Sequence, residues 1–149
     1  PILIQKLLVS PLGGLVSRGI TRTVFDFNLS KIFGSRTQPT RQELDLFWQL
    51  LTYNNGRGIL HRLIHYMEER RCHRHRWVGA LQQARQPLCL ISGQDDPVSG
   101  REMADRFAAL LPGAELTRLD AVGHYPHFEV PALTWHAYRA FLKRQRVLT

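Results

Sequence analysis

Nowhere in its 149 residues does the sequence approach the roughly 20 consecutive apolar residues that a membrane-spanning helix requires. Nothing at its start resembles a signal peptide, and with the true start expected to lie upstream, localisation stays open. Cysteine is almost absent. Cys72 stands in a basic run and Cys89 in an apolar one, so a disulfide framework is ruled out and a reducing, cytoplasmic setting is compatible. Acidic residues are scarce in one part only. Residues 1–85 hold 13 Lys or Arg against 5 Asp or Glu, whereas residues 86–149 hold 7 of each, so the whole net charge of +8 falls in the first part. Strand-like segments are also few. A chain of this length can form one domain burying roughly 70% of its unfolded surface, yet two strands cannot cover both of their faces and satisfy two edges. An exposed apolar surface is therefore expected, together with low solubility or association.

What is present is concentrated between Pro87 and Glu129. Leu88-Cys89-Leu90-Ile91-Ser92 is a short apolar run opened by proline and closed by Gly93, the pattern of a strand buried on both faces of a parallel sheet. A helix is predicted over residues 99–111, with Ser99 able to cap it and Met103, Phe107, Leu110 and Leu111 at helical spacing; Pro112-Gly113 ends it. Ala114 to Leu119 reads as a second strand. In a parallel sheet the crossover rule puts both carboxyl ends on one edge, roughly 5 Å apart if the strands are adjacent and 10 Å with one between. Asp96 and His124 lie just past those ends, where open α/β sheets bind ligands. An Asp and a His meeting there can form the orienting half of a nucleophile–base–acid triad. Asp95 is an extra carboxylate beside Asp96, and two like charges so close are expected to raise each other's pKa. Gly123 before His124 lets the chain turn sharply, and Tyr125-Pro126 fixes its exit. Pro131 suits the first turn of a last helix whose Leu133, Ala137, Tyr138, Phe141 and Leu142 would pack on the sheet.

The first 85 residues read as helical. Ile2 to Val9 forms a first helix, ended by Pro11 and Gly13-Gly14. Val24 to Phe27 and Ile32-Phe33 are aromatic enough to line a pocket, although ordinary packing explains them as well. Thr40-Arg41-Gln42-Glu43 has the form of a capping box, with Leu44, Phe47, Trp48 and Leu51 on one face and Asn54-Asn55-Gly56 as the stop. Ile59, Leu60, Leu63, Ile64 and Met67 mark another helix, and Trp77, Val78, Ala80 and Leu81 a third.

Gly93-x-x-Asp96-Pro97, a helix, a strand, Gly123-His124-Tyr125-Pro126 and Glu129-x-Pro131 together resemble the carboxyl-terminal third of an α/β-hydrolase, whose nucleophile, acid and histidine follow in that order. Gln5-Lys6-Leu7-Leu8, Glu43-Leu44 with Trp48, Tyr53 to Gly56 and Arg76 to Leu81 are similar to the capped branch. That branch includes haloalkane dehalogenases, epoxide hydrolases and the mesoderm-specific transcript family with its bacterial relatives. The resemblance implies an α/β fold that is partial: a helical cap over 1–85, then the last strand-helix-strand-helix of a parallel sheet over 86–149. It implies Asp96 and His124 as catalytic acid and base, a small apolar ester, epoxide or alkyl substrate, and no cofactor. It also implies a cap acid, for which Tyr66 stands at a similar position; an opening epoxide needs such a donor. The oxyanion His-Gly segment and the Gly-x-Ser-x-Gly or Gly-x-Asp-x-Gly elbow do not occur in residues 1–149. The nucleophile is therefore expected on a missing amino-terminal core half, and the chain alone is expected to be inactive.

Two further patterns carry weaker readings. Arg70-Arg71-Cys72-His73-Arg74-His75-Arg76 would suit an anionic partner in a noncatalytic binding or scaffolding protein. It has no interleaved aromatic platform and no nucleic-acid fold motif, so a solvated surface is the plainer account and nucleic acid is not expected. His61 and His65 are four apart on a helix, a spacing that could share a metal ion, but no His-Glu-x-x-His or structural zinc pattern accompanies them, and no metal is expected.

Overall fold

The computed structural model describes residues 3–147. Among them are ten α-helices and a single two-stranded parallel sheet, in two compact units. The first unit comprises residues 1–29 and 39–78, and the second residues 30–38 and 79–149. The compact units thus part at 78/79, whereas charge and motifs drew the line at 85/86, and residues 30–38 join the second unit by hydrogen bonds described below.

The first unit is helical: α1 (Leu3–Val9), α2 (Gly13–Gly19), most of α3 (Arg22–Ser30), α4 (Arg41–Thr52), α5 (Leu60–Leu63) and α6 (Tyr66–Cys72). Ile2, expected at the start of α1, lies outside the described residues. Leu8, Ile20 and Leu29 are buried in this unit, as is the Ser17 hydroxyl, which donates to the Arg57 carbonyl. Trp48 organises one side of α4. Its ring meets Phe25 at 5.4 Å and carries the Arg57 guanidinium at 5.5 Å, while Arg57 Nη1 donates to Ile20 O at 2.9 Å. The capping box forms as expected: Glu43 N donates to Thr40 Oγ1 at 3.3 Å and Thr40 N to Glu43 Oε2 at 2.7 Å. Thr40→Ala is expected to cost about 1 kcal/mol and to fray the first turn of α4, read as faster amide exchange at Glu43 with little change in β1 or β2.

Asn54 and Asn55 stop α4 by entering the left-handed region, at φ 47° and 60°, which asparagine tolerates better than most residues. The single helix expected over Ile59–Met67 is instead broken. After Ile64 the N–H groups of His65, Met67 and Glu68 reach back three residues rather than four, so the chain tightens into a 3₁₀ step between α5 and α6. Periodicity counts apolar positions and does not register this change of pitch.

The second unit holds α7's last turn (α7, Arg74–Gln82), β1 (Cys89–Gly93), α8 (Arg101–Leu110), β2 (Glu115–Leu119), α9 (Pro126–Glu129) and α10 (Pro131–Arg144). β1 and β2 are adjacent and parallel, from Cys89 opposite Glu115 to Gly93 opposite Leu119. Ala104 on α8, Val122 and Phe33 are buried here. Cys89, Leu90 and Ile91 are only half-buried, short of the two-sided burial expected, because α8, α9 and α10 cover the strand incompletely. The expected apolar exposure is visible on α10, where Leu133, Trp135 and Tyr138 are exposed. Leu133 and Tyr138 were expected against the sheet; Thr134, Ala137, Ala140, Phe141 and Leu142 are the more sheltered positions of that helix. Pro131 does open α10.

Ser99 does not cap α8. The helix starts one residue later behind Gly100, and the serine hydroxyl donates to Asp96 Oδ2 at 2.7 Å. That charge-assisted bond orients the hydroxyl towards the carboxylate, and Gly100 takes the cap position.

Candidate active site

Parallel pairing carries on past the strands. Gln94 N donates to Leu119 O and Asp95 N to Val122 O, both at 2.9 Å, so the two loops leave the sheet edge side by side. This close run demands glycine. A Cβ on Gly93 would stand 2.0 Å from Gly123 O, and one on Gly123 would stand 2.3 Å from Ile32 O. Gly123 was expected to allow a sharp turn, yet no glycine among the described residues has positive φ; the left-handed residue here is Ala121, at φ 60°. Close backbone approach is what excludes a side chain at 123.

At that edge His124 Nδ1 and Asp96 Oδ2 are 2.8 Å apart. The carboxylate also accepts from Ser99 Oγ and, on Oδ1, from Val98 N at 2.8 Å, and its side chain is 6% exposed. An ionised carboxylate only accepts, so Nδ1 carries the shared proton and Nε2 keeps a lone pair. The His124 side chain is 31% exposed.

Of the two neighbouring carboxylates, Asp96 faces the histidine. Asp95 turns to Ser35, accepting from its N–H at 3.0 Å and its hydroxyl at 2.6 Å. The expectation that the pair would raise each other's pKa is corrected: both are lowered, Asp95 chiefly by the Ser35 hydroxyl and Asp96 by hydrogen bonds from His124, Ser99 and Val98 that outweigh burial. Each carboxylate has its own donors, so like-charge repulsion does not decide the outcome. His124 is raised above its ordinary value, first by its bond to Asp96, against burial and with help from the charges of Asp96 and Glu129.

These shifts set a pH window. The stability due to a raised histidine is complete below its unfolded pKa of about 6.5 and is lost as pH rises through the higher folded value; that due to a depressed aspartate is present above about 3.9 and is lost on acidification through the lower folded value. The pair therefore contributes most between roughly pH 4 and 6.5. Urea midpoints of the chain and of Asp96→Asn are expected to differ most in that window and to differ less towards pH 9, where the bonds from Ser99 and Val98 to Asp96 remain; a difference that grew from pH 7 to 9 would contradict the pairing.

Residues 30–38 form the wall behind the His124 loop, which sequence patterning did not reveal. Ile32 O accepts from His124 N at 2.7 Å, and buried Phe33 packs on the Tyr125 and Phe128 rings at 5.8 and 6.1 Å. Ile32-Phe33 thus takes the packing role. Glu129 was noticed only as part of a motif; its carboxylate accepts from Gly34 N, Thr37 Oγ1, Gly123 N and Tyr125 N. Beside Asp96 a cleft of about 500 Å³ is lined by Gln94, Pro97, Val98, Met103 and Arg106 among others.

The remaining candidates lie in other surroundings. Tyr66 belongs to the first unit, exposed on α6 with the Arg70 guanidinium 5.8 Å from its ring centre. His65 Nδ1 is 3.2 Å from Glu68 Oε2, whereas the His61 ring lies beside Gly14. Among the described residues no three His, Cys, Asp or Glu side chains are grouped to hold a metal ion, and no helix is long and apolar enough to cross a membrane. The basic run Arg70–Arg76 is exposed throughout.

No family model matches the chain. Over 128 residues, 86% of its length, it is 39% identical to "Putative hydrolase LipZ" of Mycobacterium tuberculosis. With the mesoderm-specific transcript protein of Mus musculus it shares 35% identity over 148 residues. A 55-residue stretch is 40% identical to a pimeloyl-[acyl-carrier protein] methyl ester esterase of Aromatoleum aromaticum. The chain spans 44% of the length of the first two. These likenesses, with a parallel strand pair whose loops join an Asp to a His, support a relationship of this chain to the α/β-hydrolases.

Proposed function

We propose that this chain carries the acid–base part of an α/β-hydrolase site of the capped branch, with Asp96 orienting His124 and with the nucleophile and oxyanion hole supplied by sequence outside residues 1–149. The observation that carries the reading is the 2.8 Å contact between His124 Nδ1 and Asp96 Oδ2. It directs the basic Nε2 away from the carboxylate, as a proton-accepting histidine requires. The substrate class is a small apolar ester, epoxide or alkyl compound, and residues 1–85 act as the cap, with Tyr66 as its donor if the substrate is an epoxide. If the nucleophile is Ser, His124 takes its proton during attack on an ester; if it is Asp, His124 activates the water that hydrolyses the ester intermediate. No metal or cofactor enters either course.

The 149-residue chain is expected to release p-nitrophenol from p-nitrophenyl acetate no faster than a His124→Ala control. Turnover that depended on His124 would place a nucleophile within the chain and overturn this part of the reading.

The exposed Arg70–Arg76 run favours a second reading, a noncatalytic protein that holds an anionic partner. Binding to heparin that is lost at moderate salt and on Arg→Ala changes in the run would support it; retention that ignored salt would count against it.

A further inference from the structure

Three consecutive N–H groups frame His124, and each is held. Gly123 N and Tyr125 N donate to opposite oxygens of the Glu129 carboxylate, at 2.7 and 2.9 Å, while His124 N donates to Ile32 O at 2.7 Å. The same carboxylate accepts from Gly34 N at 2.9 Å and from the Thr37 hydroxyl. Glu129, five residues past the histidine, can make these bonds because α9 turns the chain back from Pro126. One half-buried side chain therefore gathers four donors from two segments more than 80 residues apart, and the segment it gathers in is the one whose carbonyl fixes the backbone of His124.

We propose that Glu129 is the positioning residue of this site: its carboxylate clamps the 123–125 backbone to residues 34–37 and so fixes where the His124 imidazole meets Asp96. Four donors use the acceptor capacity of a carboxylate about fully. A glutamine of the same shape supplies one oxygen and turns an NH₂ group towards at least one N–H, opposing donor to donor in a sheltered place. It also removes the negative charge that helps keep His124 protonated. The proposal rests on the reading of His124 as the base, but its test uses no substrate, so it can fail or succeed independently of that reading.

The test is NMR on the full 149-residue chain. In Glu129→Gln, amide protection at Gly34, Gly123 and Tyr125 is expected to fall at least about tenfold while amides within β1 and β2 change much less. The His124 imidazole titration is expected to move down, because the Glu129 charge that raises it is gone. Glu115→Gln, which breaks the exposed pair with Arg144 elsewhere in this unit, serves as the control and should leave the His124 titration in place. A uniform loss of protection, or an unmoved His124 titration, would overturn the proposal. Should Glu129→Gln fail to fold, the unaltered chain still decides: amides opening as one clamp share a single protection factor within about threefold, whereas unrelated protection at the three positions rejects the clamp.

Discussion

His124→Ala is expected to lower kcat by about 10⁵-fold or more once the chain is joined in frame with the part of its 39% identical relative that the match leaves uncovered. That chimera supplies whatever nucleophile and oxyanion donors the added part holds, so ester hydrolysis can be measured against the contribution of this chain alone. Asp96→Asn is expected to cost roughly 10⁴-fold, and for a separable reason. The new amide would donate to Nδ1, move the imidazole proton to Nε2 and leave no lone pair facing the reactant. Its side chain keeps the shape, so substrate binding should change little and the loss should fall on kcat. The unaltered chimera should also gain kcat/KM with pH through a limb above about 6.5, because a histidine raised by Asp96 must lose its extra proton before it can act as a base. An active chimera indifferent to both substitutions would remove the proposed roles of Asp96 and His124.

The second large effect concerns packing. Gly93→Ala is expected to destabilise the second unit by about 3 kcal/mol or more, against a gain of up to about 1 kcal/mol for Gly79→Ala. A Cβ at 93 would fall 2.0 Å from Gly123 O and 2.5 Å from Val122 O, both backbone atoms of the loop carrying His124. That loop cannot step aside without giving up the Asp95 N to Val122 O bond and the amides held by Glu129. At Gly79, within α7, nothing lies within 4 Å of the added carbon, and alanine suits a helix better. Urea denaturation followed by amide exchange in β1 and β2 separates the two. Equal, small changes would mean that the strand ends are looser than their hydrogen bonds indicate.

The sequence by itself determined the elements whose causes are local. Proline, a short apolar run and glycine are enough to mark β1; Thr40 and Glu43 lie one helical turn apart and cap α4; Asp96 and His124 follow strand ends, which places them on one sheet edge once the strands are parallel. Only the tertiary structure decided which carboxylate meets the imidazole, why Gly123 admits no side chain, and that Ser99 serves Asp96 instead of α8. It alone brought residues 30–38 behind the His124 loop and showed the four donors converging on Glu129. The physical reason is range: propensity, capping and periodicity act within about one helical turn, whereas Gly34 and Glu129 are 95 positions apart and share a hydrogen bond because the fold brings them together.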